Sequence, residues 1–163
     1  MQYFVRHSAR TVSDVAHDLD IPVTTASEYL RTLNARGLLG ARREGRWVLY
    51  RMQADPAVPH ARSLLAALAA TFRIRAKPMK EAFAALTGFT HPRRIALVRV
   101  LARGPSDLKS LRRQSGISVQ AALRHLRKLE KRGFAFREDR RYALGRPTSP
   151  LGRTLLDLAV HIP

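Results

Sequence analysis

The sequence predicts a mainly α fold with small β-hairpins, built as two tandem units of one plan at residues 1–76 and 77–163. Three observations carry this reading. The chain repeats itself: displaced by 96 positions, Leu30-Arg31-Thr32-Leu33-Asn34-Ala35-Arg36-Gly37 falls on Leu126-Arg127-Lys128-Leu129-Glu130-Lys131-Arg132-Gly133, and Val12, Val15 and Ile21 fall on Leu108, Leu111 and Ile117 without a gap. Within each copy, apolar residues recur at intervals of three and four, the period of a helix with one buried face, and a glycine closes the second run. A segment rich in strand formers and interrupted by a turn then predicts a hairpin.

In copy one, Thr11 offers a hydroxyl cap and Asp14 an acid in the first turn of a short helix that buries Val12, Val15, Ala16 and Leu19. After Asp20-Ile21-Pro22 a second helix is predicted to run to Arg36, burying Ala26, Leu30 and Leu33, with Gly37 as its stop. Leu38-Leu39 begins a strand, Arg42-Arg43-Glu44-Gly45-Arg46 supplies the turn and Trp47-Val48-Leu49-Tyr50 the return strand. Copy two repeats the plan with helices at 107–114 and 118–132, Gly133 as the stop and a shorter hairpin at 134–144, whose turn Glu138-Asp139-Arg140-Arg141 has no glycine. Helices are also predicted at 78–86 and 92–103. Only residues 1–7 of copy one match the second of these, so copy one reads as truncated at its N-terminus. Displaced by 91, Pro59, Arg62, Leu64 and Leu65 fall on Pro150, Arg153, Leu155 and Leu156, so a closing helix is duplicated too, at 61–72 and 151–160.

Thirty Lys and Arg against twelve Asp and Glu leave a net charge of +18, which points to a polyanionic partner. The excess is uneven: residues 1–76 carry eleven cations and six acids, residues 77–163 nineteen and six. The longest apolar stretch, residues 64–72, is less than half of a bilayer span, and no basic start with an apolar core opens the chain, so a cytoplasmic protein without a membrane partner is expected. The absence of cysteine excludes disulfides, Cys-ligated zinc and thiol catalysis. Phosphate-loop glycines, a His-Glu-x-x-His helix, a Gly-x-Ser-x-Gly elbow and a calcium loop are all missing, and the six histidines are scattered, so neither an enzyme nor a cofactor or metal site is expected. His17 beside Asp14 and Asp18 reads as a surface polar cluster, and His91 before Pro92 as a helix cap.

A helix-turn-helix holds its second helix in the major groove, and a basic hairpin behind it, the wing, reaches a neighbouring phosphate or the minor groove. The second helix of copy two offers Ser118, Gln120, Arg124, Arg127 and Lys128 around a buried Ala122-Leu126-Leu129 face, with Arg140 and Arg141 in its hairpin. Copy one offers Thr24, Thr25, Ser27 and Arg31, with Arg42, Arg43 and Arg46 in the wing. Glu28 is discordant there, because phosphate repels a carboxylate that does not accept from a cytosine amino group. Any one of these arginines taken alone is more simply a solvated surface charge; their concentration on the second helix and hairpin of both copies favours double-stranded DNA.

Val12-Ser13-Asp14-Val15-Ala16, Thr25-Ala26-Ser27-Glu28-Tyr29-Leu30 and Leu33-x-x-x-Gly37-Leu38 resemble the ArsR family of bacterial winged-helix repressors, and the stretch from Phe89-Thr90-His91-Pro92-Arg93-Arg94 to Leu144 resembles a second such unit. The resemblance implies a tandem winged helix-turn-helix transcriptional regulator, a repressor, and a homodimer joined through terminal helices. It does not carry over the family's metal sites, since the cysteines are absent and His161 with Asp157 is too sparse. The duplicated closing helices predict that the two units pair as an intrachain pseudo-dimer, while the apolar face left bare in copy one would instead recruit a second chain. The alternative function is a winged-helix interaction module of a chromosome- or RNA-associated complex.

Overall fold

The computed structural model describes residues 1–74 and 78–162. The chain forms two compact units, Met1–Ile74 and Arg75–Pro163. The boundary expected between residues 76 and 77 lies outside the described residues.

In the first unit a short α1 (Gln2–Arg6) and β1 (Ala9–Arg10) precede α2 (Val12–Asp18) and α3 (Val23–Ala35), followed by the hairpin β2 (Leu39–Glu44) and β3 (Trp47–Met52) and then α4 (Ala61–Ile74). The expected cap forms as a reciprocal box: Thr11 Oγ1 accepts from the Asp14 amide and Asp14 accepts from the Thr11 amide at 2.8 Å. One expectation fails at the other end of α2. The helix stops at Asp18, so Leu19 leaves the helical face and is 47% exposed rather than buried. Gly37 adopts φ +69 and releases the chain from α3 into β2, while Asn34 Nδ2 donates to the Leu39 carbonyl at 2.7 Å. β3 is the middle strand, antiparallel to β1 and β2, with Arg10 opposite Tyr50 and Ala41 opposite Tyr50 on its other side. Phe4, Val15, Ala16, Ala26, Leu30, Leu39 and Tyr50 close into one core, with Leu33 only half-buried at its margin. α4 packs against α1.

The second unit begins with α5 (Pro78–Gly88) and α6 (Pro92–Ala102), then α7 (Leu108–Ser115), α8 (Val119–Glu130), the hairpin β4 (Ala135–Glu138) and β5 (Arg141–Leu144), and α9 (Pro150–His161). The 96-residue displacement holds in space: α2 and α7 start at equivalent positions, as do α3 and α8, and Gly133 at φ +75 repeats Gly37. Even β1 has a counterpart, an isolated bridge between Ser106 and Tyr142. Asp139 takes the left-handed conformation, φ +51, in the glycine-free turn, a role a short polar side chain fills at low cost. His91 caps α6 as expected, its Nδ1 accepting from the Arg93 amide.

Leu97, Val98, Leu111, Ala122, Leu126, Leu129, Phe134 and Leu151 form the buried centre of this unit. α6 lies across α7, α8 and α9, which makes it the scaffold on which α8 is carried. Its Arg99 guanidinium donates to the carbonyls of Ala159 and Ile162, satisfying the last turn of α9.

Candidate nucleic-acid interface

α8 presents two chemically opposite faces because its sequence alternates them at helical spacing. Ala122, His125, Leu126 and Leu129 are buried, and Gln120, Arg124, Arg127 and Lys128 point to solvent at i, i+4, i+7 and i+8. Ser118 caps the helix, its Oγ accepting from the Ala121 amide at 3.4 Å, and is itself exposed. No carboxylate pairs with Arg124, Arg127 or Lys128 among the described residues. The outward row is therefore a line of unneutralised cations on a rigid helix. Arg140 and Arg141 stand exposed at the tip of the second hairpin, and Arg137 beside them lies over the Tyr142 ring, 5.8 Å from its centroid.

α3 carries the equivalent row with different chemistry. Displaced by 96, Gln120 corresponds to Thr24, Arg124 to Glu28, Arg127 to Arg31 and Lys128 to Thr32, all exposed. Thr25 and Ser27, expected to face DNA with Thr24, are half-buried, since they correspond to Ala121 and Leu123 on the flanks of the core face. The cations of the first hairpin are partly engaged. Arg42 lies 3.4 Å from Glu44, Arg43 donates to the Gly45 carbonyl, and the Arg46 guanidinium stacks 4.7 Å from the centroid of Trp47.

Three residues of the region escaped the sequence reading. Arg93, exposed on the first turn of α6, lines a cleft of about 520 Å³ with Pro92, Ala96 and the Ser115-Gly116-Ile117-Ser118 turn, which brings a further cation to the start of α8. Arg94 and His125 are buried between α6 and α8, 6% and 3% exposed. Burial lowers the His125 pKa below its ordinary value, and the nearby charges of His91, Arg124, Arg94 and Arg93 lower it further. The available signal was periodicity: position 125 lies three after Ala122 and four before Leu129, on the core side.

The other sequence candidates resolve locally. Asp14 is committed to the α2 cap and Asp18 accepts from the Tyr3 hydroxyl at 2.7 Å, and no group of three His, Asp or Glu side chains suited to a metal ion is present among the described residues. His161 pairs with Asp157 at 3.0 Å within α9. No helix of the described residues is long and apolar enough to cross a membrane. The folded chain is thus a mainly helical protein with small antiparallel hairpins whose second unit displays a cationic helix face. Compared with known proteins, it matches no family model, no curated protein and no solved structure.

Proposed function

We propose that this chain is a sequence-specific, double-stranded DNA-binding regulator of transcription, a repressor that acts by occupying its site, built from two winged helix-turn-helix units. The observation that carries the reading is the outward face of α8, where Gln120, Arg124, Arg127 and Lys128 form an exposed row without acidic partners. Such a row meets both needs of groove recognition: Arg and Gln pair bidentately with guanine and adenine edges, and flanking cations hold phosphates. The cap and turn before α8 and the basic hairpin after it are the parts that surround a recognition helix in this architecture. The duplicated closing helices α4 and α9 favour an intrachain pseudo-dimer, which would read two unlike half-sites.

Titration of the full chain against a duplex at several salt concentrations tests the proposal. A steep linear fall of log affinity with log salt, together with preference for a selected sequence over random duplex, is expected. Salt-insensitive or absent binding to DNA overturns it.

One observation favours the second reading for the first unit. On α3, Glu28 stands where α8 has Arg124, and Val23 and Tyr29 are 56% and 61% exposed, a mixture suited to a protein partner. Retention of full DNA affinity by an α3 surface variant, with loss of a protein complex, would assign α3 to protein contact.

A further inference from the structure

α8 is seated on α6 in part through a buried histidine. His125 faces away from the Arg124, Arg127 and Lys128 row and enters the seam with α6, where its ring centroid lies 4.4 Å from that of His91 at a tilt of 48°. Neither of its ring nitrogens has a hydrogen-bond partner. Arg94, from the first turn of α6, lies in the same seam: one guanidinium nitrogen donates to Thr90 Oγ1 at 2.7 Å, and its Nε is unpartnered. Arg94 Nε and the two nitrogens of His125 are the buried side-chain polar atoms left without a partner among the described residues. Their concentration in one seam needs a physical account.

The charges around His125 supply it. Those acting on its ring are His91, Arg93 and Arg94 from α6 and its cap, and Arg124 from α8 itself, while α7 and β4, which also pack on α8, contribute none. Arg132 lies beside Arg94, donating to Thr87 Oγ1 at 3.1 Å. Every one of these groups is an arginine or a histidine, and among the described residues no carboxylate acts on the ring. His91 cannot serve as a ready acceptor through Nδ1, which already accepts from the Arg93 amide at 3.1 Å. An imidazolium here would be a desolvated charge among like charges, with two N–H groups and nothing to receive them.

We propose that His125 is the positioning residue of α8 and holds that helix against α6 only as the neutral imidazole, so that acidification unseats α8 and ends DNA binding by the second unit. This rests on the DNA-binding reading for its consequence, although the seating itself is independent of DNA. The first unit serves as an internal control. The position equivalent to His125 is Tyr29, which is 61% exposed where His125 is 3% exposed. The sign follows from linkage. A base whose pKa is lower in the folded state leaves the unfolded state binding more protons, so its contribution to stability is complete above the unfolded value of about 6.5 and is lost as pH falls from there through the folded pKa.

The test uses the full chain. The His125 imidazole is titrated by NMR, and amide exchange in α8 and α3 is followed from pH 7.5 to 5.5 without DNA, with affinity for a duplex measured over the same range. The expected result is a His125 ring that titrates below the ordinary histidine range. With it, the opening equilibrium of α8, corrected for intrinsic exchange, should rise by up to about tenfold per pH unit below about 6.5, while α3 stays unchanged. His125→Leu, which fills the seam without a titrating group, should remove the pH dependence of α8 and keep affinity at pH 5.5 close to that at 7.5. A ring titrating at or above the ordinary value, or protection of α8 independent of pH in the wild-type chain, overturns the proposal even if His125→Leu fails to fold. Absence of duplex binding at pH 7.5 with an acid-labile α8 would instead count against the DNA-binding reading and leave the seating role in place.

Discussion

Replacing Arg127 and Lys128 together by Ala separates phosphate contact from every other role of α8. Both side chains are exposed and free of acidic partners, and Ala is the best helix former, so the double variant should melt like the parent. If each side chain neutralises one phosphate, the slope of log affinity against log salt falls by about 0.9 per contact, hence about 1.8 for the pair. Between 50 and 200 mM salt the ratio of parent to variant affinity should then shrink by about tenfold, since a fourfold change in salt is raised to that power. Fluorescence anisotropy of a labelled duplex at four or five salt concentrations resolves such a difference. The loss should also be similar on specific and random duplexes, because phosphate contacts carry no sequence information. An unchanged slope with unchanged affinity would refute the reasoning and place this row in solvent.

Arg124→Ala should relax one or two positions of the selected site and leave the others intact, at about 1 to 3 kcal/mol of lost discrimination; sequence selection with the variant checks this, and an untouched site would exclude direct readout by Arg124. Leu126→Ala empties a fully buried position of the second unit, costing about 2 to 5 kcal/mol, so thermal unfolding and exchange should show that unit lost and the first retained. The Asp107 carboxylate accepts from the Ser110 amide at 2.7 Å, which holds its pKa below the usual range and caps α7. Its contribution is present above about pH 3.9 and disappears as pH falls through the folded pKa. Asp107→Asn, which keeps a capping oxygen, should lessen the acid sensitivity of α7 exchange.

The helices and hairpins were legible because each rests on local chemistry. Thr11 and Asp107 are cap residues, Gly37 and Gly133 can enter the left-handed region, and the apolar spacing of Val15, Ala26 and Leu30 recurs in Leu111, Ala122 and Leu126. Leu19 was misplaced because the periodic pattern runs one residue past the helix that carries it, and a C-cap residue no longer shares the helical face. Thr25 and Ser27 are less exposed than Thr24 for a different reason. Their types suit a groove, yet the 96-residue displacement already set them on Ala121 and Leu123, at the margin of a core face. The burial of Arg94 and His125 was only partly legible: periodicity sets position 125 on the core side, but a charged or polar residue there declares itself buried only once the covering helix is in place. The first turns of α6 supply that cover.

The duplication therefore matters less for what it preserves than for where the copies diverge. The copies share the buried positions Val15 with Leu111, Ala26 with Ala122 and Leu30 with Leu126, which carry the two-helix frame, while the outward rows differ at the central position by a full reversal of charge, Glu28 against Arg124. Near a phosphate chain that exchange cannot be neutral, because Arg124 gains from the field that opposes Glu28. The hairpins diverge in the same sense: Arg42 lies against Glu44 and Arg46 over Trp47, whereas among the described residues no ion pair engages Arg140. On the proposed DNA-binding function, the first unit would meet DNA with weaker attraction and with a carboxylate that favours a donor, such as a cytosine amino group, opposite it. Under the same proposal, non-specific affinity would belong mainly to the second unit. Two such unequal units in one chain fit an asymmetric site better than a palindrome, because a palindrome would offer the same edge to Glu28 and to Arg124 and satisfy only one of them.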